Sequence, residues 1–215
     1  GAKIKLKSRT ITIKGVEELN LKDYKVIPDR IEAGSYILAT MATKGRLILN
    51  NFNPEDLSFP LKIYQDMGLK IKKISKSSYE FNCKRLKPIK KISTKEFPGY
   101  PTDLQAQLIA TQLKSALKSK VVENIFENRF IHIPELRRFG ANLSIIGKTV
   151  TIHKTLNLFG AEVMATDIRA SFSLIIAAMM SKGTTIINRI YHLDRGYEDF
   201  DLKLKKCGVN ISRKK

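Results

Sequence analysis

Apolar and polar positions along the chain change rhythm in one order, three times over. Three segments open alike: Pro28-Asp29-Arg30-Ile31, Thr102-Asp103-Leu104-Gln105 and Thr166-Asp167-Ile168-Arg169. After each comes an apolar run at helical spacing, then a β-branched run, then a shorter helical run closed by Gly68, Gly140 or Gly208. The aspartate-to-glycine separations are 39, 37 and 41 residues, and the units start 74 and 64 residues apart. A period of this size marks a unit that cannot bury its own apolar face and packs against its siblings.

Each unit reads as strand, helix, strand, helix, strand, strand. The first helix begins at or just before Asp29, Asp103 or Asp167 and runs to Lys44-Gly45, Lys118-Ser119 or Lys182-Gly183. Thr102 and Gln105 have capping-box spacing, and an aspartate in a first turn suits the helix dipole. The third of these helices is apolar nearly all round from Leu174 to Met180, the mark of a helix covered on most sides. Strands are expected at Arg46 to Leu49, Val121 to Ile125 and Thr184 to Ile190, and again at Leu69 to Ile74, Asn142 to Ile146 and Val209 to Ser212. Return strands follow at Ser78 to Cys83 and Thr149 to His153. In the last unit Tyr197, Phe200, Leu204 and Cys207 recur at steps of three, four and three, giving one apolar face.

The last unit has no return strand, so its sheet is expected to keep an open edge. The predicted fold class is α/β (α+β), a lobe of three βαβαββ-type units at about 28–90, 91–155 and 156–215. Residues 1–27 stand outside the repeat. The chain reads as a piece of something larger.

Composition narrows the partners. The net charge is +19 and rests on 28 lysines against 11 arginines. Lysine is scattered while arginine occupies the repeated corners, which favours a solvated lysine surface over a nucleic-acid face; no recognition helix or single-strand motif is present. Cys83 and Cys207, 124 residues apart, show neither metal nor disulfide spacing and read as buried or half-buried thiols. No metal or cofactor is called for. No apolar run reaches the length of a membrane span, and a cytoplasmic setting with no membrane partner is the expectation.

Four segments carry a resemblance. They are Phe97 to Gln107 (FPGYPTDLQAQ), Ile125 to Phe130 (IFENRF), Met164 to Ser171 (MATDIRAS) and Arg189 to Glu198 (RIYHLDRGYE). In this order they resemble the C-terminal half of the UDP-N-acetylglucosamine enolpyruvyl transferases. That resemblance implies a lobe built as an inside-out α/β barrel, closing with a second lobe over phosphoenolpyruvate and UDP-N-acetylglucosamine. It implies a general base at Asp103, proton handling at Asp167 and phosphoenolpyruvate-holding arginines at Arg169 and Arg195. Arg129 falls in the matching segment, and Ile125 is implied to touch the nucleotide sugar through its backbone. Thr102 and Arg30 join the candidate binding residues at the helix starts. The family's reactive cysteine, and further phosphoenolpyruvate ligands, lie on the other lobe, so this chain is expected to need that lobe as partner and to be inactive alone. Residues 1–27 are expected to belong with it.

The residue types suit such chemistry. A hydroxyl attacking an activated double bond needs a carboxylate within hydrogen-bond reach. Arginine forks grip carboxylate and phosphate in a way that lysine does not. Structural roles compete with each assignment: Asp103 and Asp167 as helix caps, Arg129 paired with Glu127, Arg30 paired with Glu32, Arg195 as a solvated loop charge. His132, His153 and His192 read as packing or surface residues. The sister enzyme, which takes a shikimate phosphate, is the alternative within the superfamily, and a nucleic-acid-binding repeat module the alternative outside it.

Overall fold

A computed structural model describes residues 1–20 and 22–214. Its elements are β1 (Lys3–Lys7), β2 (Thr10–Lys14), α1 (Arg30–Ala42), β3 (Arg46–Leu49), α2 (Ser58–Asp66), β4 (Lys70–Lys73), β5 (Tyr79–Asn82) and β6 (Lys91–Ser93). There follow α3 (Gln105–Gln112), β7 (Ser119–Val122), α4 (Ile133–Arg138), β8 (Leu143–Ile146), β9 (Thr149–Ile152) and β10 (Glu162–Met164). The chain closes with α5 (Phe172–Met180), β11 (Ile186–Asn188), α6 (Tyr191–Asp194) and α7 (Phe200–Lys206).

The core is a trio of helices. α1, α3 and α5 pack against one another, with α1 backing onto β3 and β5 and α3 onto β7. All eight residues of α3 are buried, as are Phe172 to Ala177 of α5. Several polar residues inside α3 find partners: Thr111 Oγ1 donates to the Gln107 carbonyl at 2.8 Å, and Gln112 Oε1 accepts from the Ile89 amide at 3.1 Å and from Ser119 Oγ at 3.2 Å. Such pairing offsets the cost of burying polar groups, although Gln105 Oε1 and Gln107 Oε1 are buried with no partner among the described residues.

The sheets are separate. One has the order β3-β5-β4, antiparallel throughout, with Leu47 and Ile71 both opposite the buried Phe81. A second has the order β6-β7-β9-β8, with β6 parallel to β7 and the rest antiparallel. β10 and β11 form a parallel pair, and β1 and β2 an antiparallel hairpin exposed at every position. No closed barrel forms among the described residues, so the expected barrel is not seen as such; the architecture is a mixed α/β one.

Gly68, Gly140 and Gly208 each follow a helix C-cap with φ of +106°, +87° and +90°. This left-handed region closes a helix at little cost only without a Cβ. Helix lengths depart from expectation in two places. α3 stops at Gln112 rather than near Lys118, because the Leu113 carbonyl turns to accept the Thr155 amide. α5 begins at Phe172 rather than near Asp167. Ser171 Oγ accepts from the amides of Thr166 and Asp167 and donates to the Asp167 carbonyl, folding 166–171 into a turn instead.

The expected strand from Val209 to Ser212 does not form: these residues have no ladder partner among the described residues. Cys83 is buried as expected, but Cys207 is exposed, because it lies at the C-cap of α7 beyond the packed face. No helix is long and apolar enough to cross a membrane among the described residues.

Candidate functional site

The start of α3 holds the first cluster. A short 3₁₀ turn, Thr102–Leu104, precedes the helix, and the capping box expected there is not made. Thr102 Oγ1 instead donates to Glu123 Oε2 at 2.8 Å. Asp103 does not cap either; its Oδ1 accepts from Arg129 Nη2 at 2.7 Å, so Arg129 pairs with Asp103 rather than with Glu127. The two side chains keep 41% and 25% of their surface, which leaves this pair open to a solute.

Glu123 organises the same corner. It is a buried carboxylate whose Oε1 accepts from Thr94 Oγ1 and the Ile125 amide, both at 2.8 Å, and from the Phe126 amide at 3.1 Å. Half-buried Ile125 thus has its amide engaged. Sequence reading passed over Glu123 because nothing in its neighbours marks a carboxylate that gathers donors from residues 94, 102, 125 and 126.

The second cluster lies in the turn before α5. Asp167 closes that turn rather than capping α5, accepting at Oδ1 from the Arg169 amide at 2.8 Å and the Ala170 amide at 2.6 Å. Arg169 then spans three elements. Nη1 donates to the Gly196 carbonyl at 2.9 Å, Nη2 reaches Asp29 Oδ2 at 2.8 Å, and the guanidinium lies 5.3 Å over the Tyr197 ring. Its hydrogen bonds and charge contact with Asp29 hold its pKa above the ordinary value, against the opposing effect of burial. Gly196 permits this approach, since a Cβ there would lie 2.4 Å from Ile168 Cγ2.

The clusters are joined by Gln107, fully buried on α3, whose amide nitrogen contacts the Asp103 and Arg169 carbonyls. His132, also fully buried, feels both Asp167 and Arg129. Burial pushes its pKa from 6.5 down to about 4; Asp167 opposes that shift and the charge of Arg129 adds to it, so the ring is neutral near pH 7.

Arg195 caps α6 and is exposed on a cleft of about 760 Å³, lined also by Asp29, Glu32, Asp194, Tyr197 and Arg213. Arg30 stands apart. Its Nη1 reaches the Asp56 carbonyl at 3.4 Å and its guanidinium lies 5.2 Å over the Phe97 ring. It does not pair with Glu32, which Lys203 holds at 2.8 Å. Asp103 and Arg129 are therefore in direct contact, while Thr102 and Ile125 are linked through Glu123. Arg169 connects to Asp103 through Gln107. Arg195 shares its cleft with Asp29 and Tyr197, both partners of Arg169.

The arrangement offers a solvent-reachable carboxylate beside a guanidinium, two further arginines within one region, and a dry, neutral histidine behind them. Chemically it can bind a compact anion and accept a proton.

Curated relatives at 44–48% identity share one name. The chain is 47% identical over 205 residues to the UDP-N-acetylglucosamine 1-carboxyvinyltransferase of Pelagibacter ubique, covering 95% of this chain and 49% of the relative. Against the protein of the same name from Bartonella henselae it is 48% identical over 217 residues, covering 99% and 50%. The chain thus spans about half the length of the curated relatives it matches. Among solved structures, the enolpyruvyl transferase NikO from Streptomyces tendae superposes with a TM-score of 0.85 at 24% identity, over 99% of this chain and 51% of that one. EPSP synthase from Acinetobacter baumannii superposes with a TM-score of 0.71 at 15% identity, over 96% and 52%. These two likenesses establish the fold. A sequence model of the EPSP synthase (3-phosphoshikimate 1-carboxyvinyltransferase) family matches residues 1–204, and the chain belongs to that family.

Proposed function

We propose that this chain is the C-terminal lobe of a UDP-N-acetylglucosamine enolpyruvyl transferase, the enzyme of the first committed step of peptidoglycan synthesis. Joined to an N-terminal lobe, it moves the enolpyruvyl group of phosphoenolpyruvate to the sugar 3-hydroxyl and releases phosphate. The observation that carries this reading is the reachable Asp103–Arg129 pair at the start of α3, tied to Arg169.

Asp103 takes the hydroxyl proton as the sugar oxygen bonds to C2 of phosphoenolpyruvate and C3 gains a proton. C3 then loses a proton as the bond from C2 to the phosphate oxygen breaks, and Asp167 is the candidate for that traffic. Arg129, Arg169 and Arg195 neutralise the carboxylate and phosphate charges, and a clamp of this kind is worth about 10²-fold or more in rate. Thr102 and Ile125 border the sugar nucleotide, with Arg30 as an outlying candidate. We read the finer organisation in the same way: three repeated units, residues 1–27 belonging with the other lobe, and a cytoplasmic enzyme without nucleic-acid or membrane partners. Half the site is on the other lobe, so the chain alone does not turn over.

The name of the matching family model favours a second reading, transfer to shikimate 3-phosphate; relatives at 44–48% identity named for the sugar nucleotide weigh against it. Competition between the two acceptors for binding separates them. The direct test is phosphate release from phosphoenolpyruvate on adding UDP-N-acetylglucosamine to this chain mixed with a separately made N-terminal half. Release that disappears with Asp103→Ala supports the reading. No release from a folded, associated mixture overturns it.

A further inference from the structure

We propose that Gln107 is a positioning residue that locks the Asp103 and Arg169 corners into one frame; its consequence for rate rests on the enolpyruvyl transfer reading. Gln107 Nε2 lies 2.9 Å from the Asp103 carbonyl oxygen and 3.1 Å from that of Arg169. It also lies 3.1 Å from both Ser35 Oγ and Tyr197 Oη. Carbonyl oxygens only accept, so the orientation of the amide is fixed with its NH₂ group toward them.

The hydroxyl hydrogens around this point can be assigned, while Gln107 Oε1 is buried with no partner among the described residues. Ser35 Oγ donates to the Ile31 carbonyl at 2.8 Å, so in its 2.9 Å contact with Tyr197 Oη it is Tyr197 that donates. Burial raises the Tyr197 pKa and keeps that proton in place. Both hydroxyl hydrogens are then committed, so the two N–H groups of Gln107 face four acceptors and are shared among the two carbonyls and the two hydroxyl oxygens. One amide thereby joins α1, the start of α3, the turn before α5 and the segment after α6.

What it holds is the backbone under two charged side chains. The Arg169 amide is fixed by Asp167 Oδ1 and its carbonyl by Gln107, so the guanidinium that reaches Asp29 and Gly196 springs from a residue held on both sides. An apolar residue would fill the space but hold neither carbonyl. Ionised glutamate would fill it and repel both, since a carboxylate has no proton to donate. Displacements of about 1 Å at such groups cost up to about 100-fold in rate.

The test uses Gln107→Met, similar in size, in the ¹⁵N-labelled chain and in the reconstituted mixture. Circular dichroism verifies the fold, and the Arg169 side-chain Nε–H resonance reports its order by relaxation. The expected result is a folded variant whose Arg169 resonance becomes disordered, with phosphate release down about 10- to 100-fold. Should that variant not fold, Gln107→Glu is read instead: disorder of Arg169 when the carboxyl is ionised, reversed on acidification as it becomes a donor. A folded variant with an unchanged Arg169 resonance overturns the proposal. If the unaltered mixture releases no phosphate, the functional reading fails while the resonance still decides the role of Gln107.

Discussion

Arg169 and Asp29, 140 residues apart in the chain, meet at 2.8 Å across the junction between the turn before α5 and the N-cap of α1. Asp29 divides its two oxygens between tasks. Oδ2 takes the guanidinium, while Oδ1 caps α1 by accepting from the Ile31 amide at 2.7 Å and the Glu32 amide at 3.2 Å. The first and third helix-start corners are thus pinned to each other through one carboxylate.

Substitutions at Asp29 should separate those tasks. Asp29→Asn keeps a capping oxygen and loses the ion pair; with the carboxylate over a third exposed, the cost should be under about 1 kcal/mol. Asp29→Ala also loses the cap, for about 1 kcal/mol more. Urea unfolding followed by circular dichroism measures both, the chain having no tryptophan to report by fluorescence.

His132 predicts a pH dependence. Its folded pKa of about 4 lies below the ordinary 6.5, so the unfolded chain takes up a proton first as the pH falls. The neutral ring's contribution is fully present above pH 6.5 and is lost as the pH falls from there toward 4, by about 3 kcal/mol across the window. Unfolding free energies over that range should show the slope, and His132→Leu should flatten it.

Glu123 should tolerate an amide and not a truncation. In Glu123→Gln the oxygen serving Thr94, Ile125 and Phe126 can remain, and the new NH₂ can face Thr102 Oγ1, so a loss under about 1 kcal/mol is expected. Glu123→Ala strands several donors, costing about 2–4 kcal/mol on the same principle. Thermal unfolding of the two variants distinguishes these outcomes.

Gly196→Ala forces a Cβ into Ile168 Cγ2 and to within 3.2 Å of the Ile168 carbonyl. The crowding should cost about 1–3 kcal/mol of stability. It should also shift the Gly196 carbonyl from Arg169 and, on the proposed function, weaken phosphoenolpyruvate binding by the reconstituted protein, as read by calorimetric titration.

The parts of the fold visible in the sequence are those set by nearby residues. β3 falls at Arg46–Leu49 as its pattern predicts, Asp29 caps α1, and Gly68, Gly140 and Gly208 close their helices. Local rules failed where a distant partner competed. Thr102 and Gln105 have capping-box spacing, yet Thr102 turns to Glu123 and Gln105 Nε2 to the Arg129 carbonyl at 3.4 Å. Glu32 is two residues from Arg30 but is taken by Lys203, 171 residues away. At the site, the four motifs point to Asp103, Arg129 and Arg169; Gln107 ends one of those motifs, but its joining role, like that of Glu123, emerges only from the packing, since their partners are scattered through the chain.

α3, covered along its whole length by α1 and α5 and the β7 sheet, has no exposed flank from which to fray. Its amides cannot meet solvent by local opening and should exchange hydrogen only when the whole lobe unfolds. The helix that carries Gln107 and follows Asp103 is then the last part of the molecule to open, and every chain with an open α3 has also lost its candidate catalytic corner.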